Sequence, residues 1–153
     1  MDTPVGRLML ASDERGLRRI DFVNGNTRTD PAWHENAAAL RETIRQLRAY
    51  FAGELKEFDV PLAPEGTAFQ KNVWRHLCEI SYGETISYGE LARRIGNPKA
   101  ARAVRLANGA NPIPIVIPCH RVIGSNGKLT GYGGGLPIKE KLLALEARQL
   151  HLS

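Results

Sequence analysis

The sequence predicts an α/β N-terminal domain, a small antiparallel sheet with one helix, followed by a mostly α-helical C-terminal domain carrying a helix-turn-helix. Three observations predict it. Short strand-like apolar stretches separated by turn residues give way to a single stretch of helical apolar spacing. The segment Pro61-Leu62-Ala63-Pro64-Glu65-Gly66 then has linker composition. Beyond it, two helix-capping signatures and an Asn-Pro pair open a series of short helices. The expected domains are residues 1–64 and 65–153.

In chain order, Thr3-Pro4-Val5-Gly6 reads as a turn, with strands at Leu8–Ala11 and Leu17–Val23 and turn chemistry at Asn24-Gly25-Asn26. From Pro31 to Ala52, Leu40, Ile44, Leu47 and Phe51 recur at helical spacing, and Gly53 suits the C-cap. After the linker, Thr67-Ala68-Phe69-Gln70 fits a capping box, and Phe69, Val73, Leu77 and Ile80 form a stripe expected to be buried. Tyr82-Gly83-Glu84 turns the chain. Ser87-Tyr88-Gly89-Glu90 is a second capping box, opening a helix through Leu91 and Ile95 that stops at Gly96. Asn97 and Pro98 then supply an N-cap and an N1 proline for a helix to about Asn108. The last helix runs from about Pro137 through Ile138, Leu142 and Leu145.

Composition narrows the function classes. The 153 residues are 42% hydrophobic and 24% charged, too apolar for a disordered chain. No apolar run approaches the roughly 20 residues of a membrane helix, and the N-terminus lacks a signal-peptide segment, so a cytoplasmic place is expected. Two cysteines, Cys78 and Cys119, do not make a disulfide scaffold. Residues 1–64 carry a net charge of −1, whereas residues 65–153 carry +6. The basic half is the candidate partner-binding half, with nucleic acid the natural polyanion.

Within that half, the helix at Ala100–Ala107 is rich in alanine, with Arg102 and Arg105 close together on it. Small side chains allow close approach, and flanking arginines suit a phosphate-lined groove; a packed Ala-rich helix with a solvated basic face remains the plainer alternative. Asn111 to Val122 holds three prolines, which exclude a helix and point to a stiff, extended, buried path ending on Cys119. Six glycines follow within Gly124–Gly135, so backbone can come close to a ligand there. A neighbouring base can lower a thiol below its free pKa of about 8.5. Adjacent strand residues face opposite ways, so His120 would need a bend or a bridging water to serve Cys119. A zinc site from His76, Cys78, Cys119 and His120 matches no common spacing.

The run Ile117-Pro118-Cys119-His120-Arg121-Val122 resembles the active-site signature of the O6-alkylguanine-DNA alkyltransferases, or methylated-DNA–protein-cysteine methyltransferases. Phe69-Gln70, Val73-Trp74, Tyr82-Gly83-Glu84-Thr85, Ser87-Tyr88-Gly89, Asn97–Val104, Asn108–Ile113 and Gly131-Tyr132 through Lys139 follow the same family in order. The resemblance is strong over about residues 65–150 and weak before them.

It implies direct, cofactor-free repair of double-stranded DNA by a monomer, in which an alkyl group passes from O6 of guanine, or O4 of thymine, to Cys119. His120 would take the thiol proton through a water, Glu146 would orient the imidazole, and Tyr88 would donate to guanine N3. Asn111 would brace the turn before the active-site segment. Pro114, Tyr132, Val122 and Gly133 would line the pocket, and the backbone of Cys119 and Val122 would face the guanine amino group. Arg102 would fill the gap left by the flipped nucleotide. Gln70, Gly89, Asn97 and Ser125 fall where the family contacts phosphates. The chain departs from its family at Ser81, usually proline, and at Arg105, usually glycine. Arginine there is expected to face the groove floor and hold the helix away from DNA. With no cysteine and only His34 in the N-terminal half, the zinc site of some animal members is not expected. Two other classes stay open: a binding module without transfer chemistry, whose relatives lack the cysteine, and a cysteine hydrolase.

Overall fold

The computed structural model describes residues 1–23, 37–127, 132 and 134–152. The Asn24–Asn26 turn, the helix start near Pro31, His34, Gly131 and Gly133 lie outside them. The chain forms two compact units, Met1–Glu65 and Gly66–Ser153.

In the first unit, β1 (Asp2–Thr3), β2 (Gly6–Asp13) and β3 (Gly16–Phe22) form an antiparallel sheet in that order, with an irregularity at Ala11/Ser12. Helix α1 (Ala37–Phe51) packs on it, burying Leu47 and Tyr50 with Leu8, Leu10, Leu17 and Ile20. The segment with linker composition does more than connect. Leu17 N–H donates to Pro61 O at 2.8 Å, and Ala63 N–H donates to Leu17 O at 2.9 Å. A Cβ at Gly16 would lie 2.5 Å from that Pro61 oxygen, so only glycine fits there.

The second unit opens with α2 (Ala68–Leu77), and both bonds of the Thr67/Gln70 capping box form. Phe69, expected in the buried stripe, is 37% exposed. Trp74 fills the core instead, its Nε1–H donating to Ala107 O at 2.9 Å. After β4 (Ile86–Ser87), Ser87 caps α3 (Tyr88–Ile95) through Glu90 N–H. Glu90 does not return the expected capping bond; Arg93 and Arg94, one turn on, take its carboxylate. Gly96 ends α3 in the left-handed region at φ +91°.

Asn97 makes no side-chain cap bond, and Pro98–Ala100 form a 3₁₀ turn before α4 (Ala101–Gly109), so the expected helix starts late. The larger correction concerns the proline-rich path. It is a compact turn, not an extended strand: Ile117 N–H donates to Ile113 O at 2.9 Å, and Ile115 sits at φ +76°. A β-branched residue rarely adopts that conformation, so the surroundings must hold it. Cys119–Arg121 form a 3₁₀ turn leading into β5 (Val122–Ile123), and α5 (Leu136–Leu152) closes the unit. Among the described residues, no helix is long and apolar enough to cross a membrane.

Candidate active site

A two-residue parallel ladder sets the site. Ile86 pairs with Val122 and Ser87 with Ile123, which places the start of α3, and hence Tyr88, beside the turn that carries Cys119. Asn111 braces the other side of that turn. Its Nδ2 donates to Ile117 O at 2.8 Å and its Oδ1 accepts from Ile113 N–H at 2.9 Å, which ties down the loop around strained Ile115. The 3₁₀ turn supplies the bend that a strand would have denied to His120.

Cys119 is 6% exposed and His120 is fully buried. Burial pushes the thiol up to about 11, against the pull of the Asn111 side chain and the positive charge of Lys139. The sequence expectation of a lowered thiol pKa is therefore reversed: desolvation outweighs the local cation, and the group rests as a thiol that needs a base. His120 can be that base. Its Nε2 lies 2.7 Å from Glu146 Oε2. A carboxylate only accepts, so Nε2 carries the hydrogen and Nδ1 carries the lone pair. Nδ1 is buried with no hydrogen-bond partner among the described residues. Burial holds the imidazole below its ordinary pKa, opposed by Glu146, so it is neutral at neutral pH.

Glu146 is 1% exposed, far from the solvated helix charge that its composition suggests. Burial alone would raise its carboxyl, but His120 and Arg121 together hold it down near 2. The expected apolar line Ile138–Leu142–Leu145 is only partly buried. The innermost line of α5 is Lys139, Leu142 and Glu146, at helical spacing. Two of its three members are charged and point at the thiol's surroundings. Lys139 was missed by sequence reasoning because a lysine inside a polar helix reads as solvated. Its Nζ donates to Val122 O at 2.7 Å, and burial lowers its pKa while Cys119 opposes that shift. Arg121, passed over as part of the signature, is also buried.

Of the expected pocket residues, Pro114 and Val122 are buried, while Tyr88 and Tyr132 are half-buried. The Tyr132 phenol is pushed well up, first by burial and then by the nearby Cys119 and Glu146 charges. The two carbonyls expected to face a base have protein partners: Val122 O meets Lys139, and Cys119 O meets Asn108 Nδ2 at 3.4 Å. Cys119 O also accepts from Val122 N–H, so both its lone pairs are engaged, the bond to Asn108 being the longer one.

On α4, Val104, Ala107 and Asn108 face the core. Arg102 and Leu106, four residues apart, share the opposite crest, and Leu106 is 72% exposed. Arg105 is not on that crest. It lies on the flank, with its guanidinium 5.5 Å from the Tyr88 ring centroid, a cation–π contact with the residue expected to touch the substrate. Gly89, Asn97 and Ser125 are exposed. A Cβ on Gly89 would meet only Ser87 Oγ, at 3.8 Å, so its own fold leaves the space beside it open. Gln70 Oε1 is occupied by Thr67 N–H, which leaves its amide hydrogens for a ligand.

Fold and site define a class: a basic helix-turn-helix unit in which a buried thiol is next in the chain to a buried imidazole–carboxylate pair. Residues 68–148 match the 6-O-methylguanine DNA methyltransferase DNA-binding domain, and residues 1–64 match the ribonuclease-like domain of the same methyltransferases. A methylated-DNA–protein-cysteine methyltransferase of Methanosarcina acetivorans is 61% identical, the match covering 95% of this chain and 94% of that one. One of Mycolicibacterium paratuberculosis is 57% identical over 97% of this chain and 90% of its own. The crystal structure of Mycobacterium tuberculosis OGT in complex with DNA superposes with a TM-score of 0.89 at 53% identity, covering 97% of this chain and 91% of that one. The chain belongs to the 6-O-methylguanine DNA methyltransferase family.

Proposed function

We propose that this protein repairs double-stranded DNA by moving an alkyl group from O6 of guanine, or O4 of thymine, onto its own Cys119, once per molecule. The observation that carries the reading is the buried His120–Glu146 pair, adjacent in the chain to a thiol that burial keeps protonated. The thiol proton passes through a water to Nδ1 of His120. The sulfur electron pair attacks the alkyl carbon, the carbon–O6 bond breaks, and its electrons stay with the purine. Tyr88 passes its proton to N3, so the base leaves as a neutral tautomer, and the phenolate takes a proton back from solvent once the base has gone. The product is a thioether, which has no route back to the thiol, so the reaction ends after one turn. The chemistry needs no cofactor. The protein works as a monomer, and we place it with its substrate in the cytoplasm.

The target base lies inside a duplex and must be flipped out. The crest of α4 supports this role, with Arg102 entering the gap and Leu106 the exposed apolar neighbour on the same face. Gly89 lies in the first turn of α3, where the helix N-terminus favours phosphate, and Gln70, in the first turn of α2, would contribute its side-chain amide hydrogens. Asn97 and Ser125 extend that contact line.

Incubation with duplex DNA containing O6-methylguanine, followed by mass spectrometry, tests the proposal. One added methyl on Cys119 is expected. An unmodified protein that binds the DNA would leave the binding module, and continuing turnover without modification would leave the hydrolase.

Two substitutions test the DNA side. Arg102→Ala is expected to slow repair of duplex DNA while changing reaction with free O6-benzylguanine little, because only the duplex needs extrusion. Equal losses on both substrates would assign Arg102 to the fold. For Arg105 the flank position reverses the expectation from sequence. Arg105→Gly removes a cation from the face of Tyr88, a contact worth about 0.5–1 kcal/mol. Reaction with duplex and free base is expected to fall together by roughly two- to five-fold, with duplex affinity little changed. Tighter duplex binding with an unchanged free-base reaction would restore the steric reading.

A further inference from the structure

Glu146 has more partners than an orienting carboxylate needs. Oε2 accepts from His120 Nε2 at 2.7 Å and from Arg121 Nη2 at 3.0 Å. Oε1 accepts from Arg121 Nε at 2.9 Å and from Gly83 N–H at 3.2 Å. Arg121 is anchored in turn: Nη1 donates to Ile80 O at 2.7 Å, and the guanidinium lies 5.6 Å from the Tyr82 ring centroid. Glu146, His120, Arg121 and Ile80 are all buried, with Arg121 6% exposed.

Consider the same carboxylate without the arginine. A buried carboxylate whose nearest cation-forming partner is an imidazole draws a proton onto that imidazole, because the neutral ion pair is far cheaper to bury than a lone anion. His120 would then be protonated before any substrate arrived, and a protonated imidazole cannot accept a thiol proton. With Arg121 forked onto Glu146, the carboxylate is already neutralised. A further proton on His120 would leave a net positive charge in the interior. The other charges facing the imidazole act the same way or are too weak to reverse it: Lys139 on α5 disfavours the protonated form, as Arg121 does on the turn itself, and only Glu146 favours it.

We propose that Arg121 is a positioning residue that occupies Glu146 as its standing counter-ion, so that Glu146 orients His120 without keeping it protonated. The shared carboxylate thus separates two tasks that a simple pair would confuse, aiming the base and holding its proton. The inference rests on the proposed role of His120 as base.

The test uses the full chain. The His120 imidazole is followed by NMR titration in the unreacted protein, and single-turnover transfer is followed across pH. In Arg121→Met the titration and the acid limb of the rate are both expected to move up by about one pH unit or more. On the acid side, at pH values below both titrations, that is about a tenfold loss of rate, recovered as pH rises. Arg121→Lys, which restores the charge without the fork, should bring both part of the way back. Should the methionine variant fail to fold, Arg121→Gln keeps a donor for Ile80 O without the charge, and the same upward move is expected. A folded variant whose rate falls equally at every pH, with the imidazole titration unmoved, would overturn the proposal and leave Arg121 as a brace. The titration does not depend on alkyl transfer. Failure of the native protein to take up a methyl group would therefore strike the functional reading, not this one.

Discussion

Cys119→Ser is expected to abolish alkyl transfer, below detection over hours, while leaving the fold and most duplex affinity intact. The interior already pushes the thiol up to about 11. An alcohol starts several units less acidic than a thiol, and in the same desolvated turn it would not surrender its proton to a neutral imidazole. Oxygen is also the poorer acceptor for a soft SN2-like displacement. The swap is nearly isosteric, so the Asn111 brace and the bonds around Ile113 and Ile117 should persist. Mass spectrometry after incubation with methylated duplex, and a binding titration with the same DNA, check both halves. Transfer retained by the serine variant, or a methyl group found on Cys78, would end the assignment of Cys119. Cys78 caps the end of α2 and is exposed.

What the sequence made legible and what it hid divide along physical lines. Local signals were readable because they act within a few residues: the Thr67 capping box, the Gly96 stop and the two hairpin strands each rest on their own neighbours. The misreadings arose where distant chain decides. Three prolines argued for an extended path, yet Asn111 closes it into a turn. Phe69 fitted the stripe of α2, but Trp74 found a carbonyl partner on α4 and took the core position. Most telling is α5, where Ile138, Leu142 and Leu145 read as the apolar line, Lys139 received no role, and Glu146 was assigned through the family resemblance alone. Their spacing of two turns, with Leu142 between them, was the available signal. It becomes meaningful only once the facing element is known to carry a thiol, a histidine and an arginine. Arg105 belongs with these, since its place against Tyr88 depends on how α3 and α4 pack.

Lys139→Met is expected to cost transfer heavily and stability hardly at all. The ammonium is fully buried, and its positive charge, after the Asn111 side chain, lowers the Cys119 thiol against the effect of burial. Methionine has nearly the same length and fills the same space without the charge. The thiolate then forms in an apolar interior with one stabilising charge fewer, and each unit by which the thiol pKa rises lowers the available thiolate about tenfold. A fall in the single-turnover rate of about ten- to a hundredfold corresponds to one or two such units. Stability carries opposing terms. Val122 O loses a donor at 2.7 Å, a cost of about 1–3 kcal/mol for a buried group left unsatisfied. Against that, a charge whose own pKa burial has already depressed no longer has to be desolvated, and replacing buried charge by well-packed apolar volume is often neutral or stabilising. The lysine is thus placed at the expense of folding free energy for the sake of the sulfur, and the two readouts should separate. Thermal unfolding and the transfer rate, measured on the same preparation, decide it. A variant that loses stability and rate together would make Lys139 a strut for β5, and one that keeps its rate would show that the thiolate draws its stabilisation from Asn111 and the backbone without the lysine.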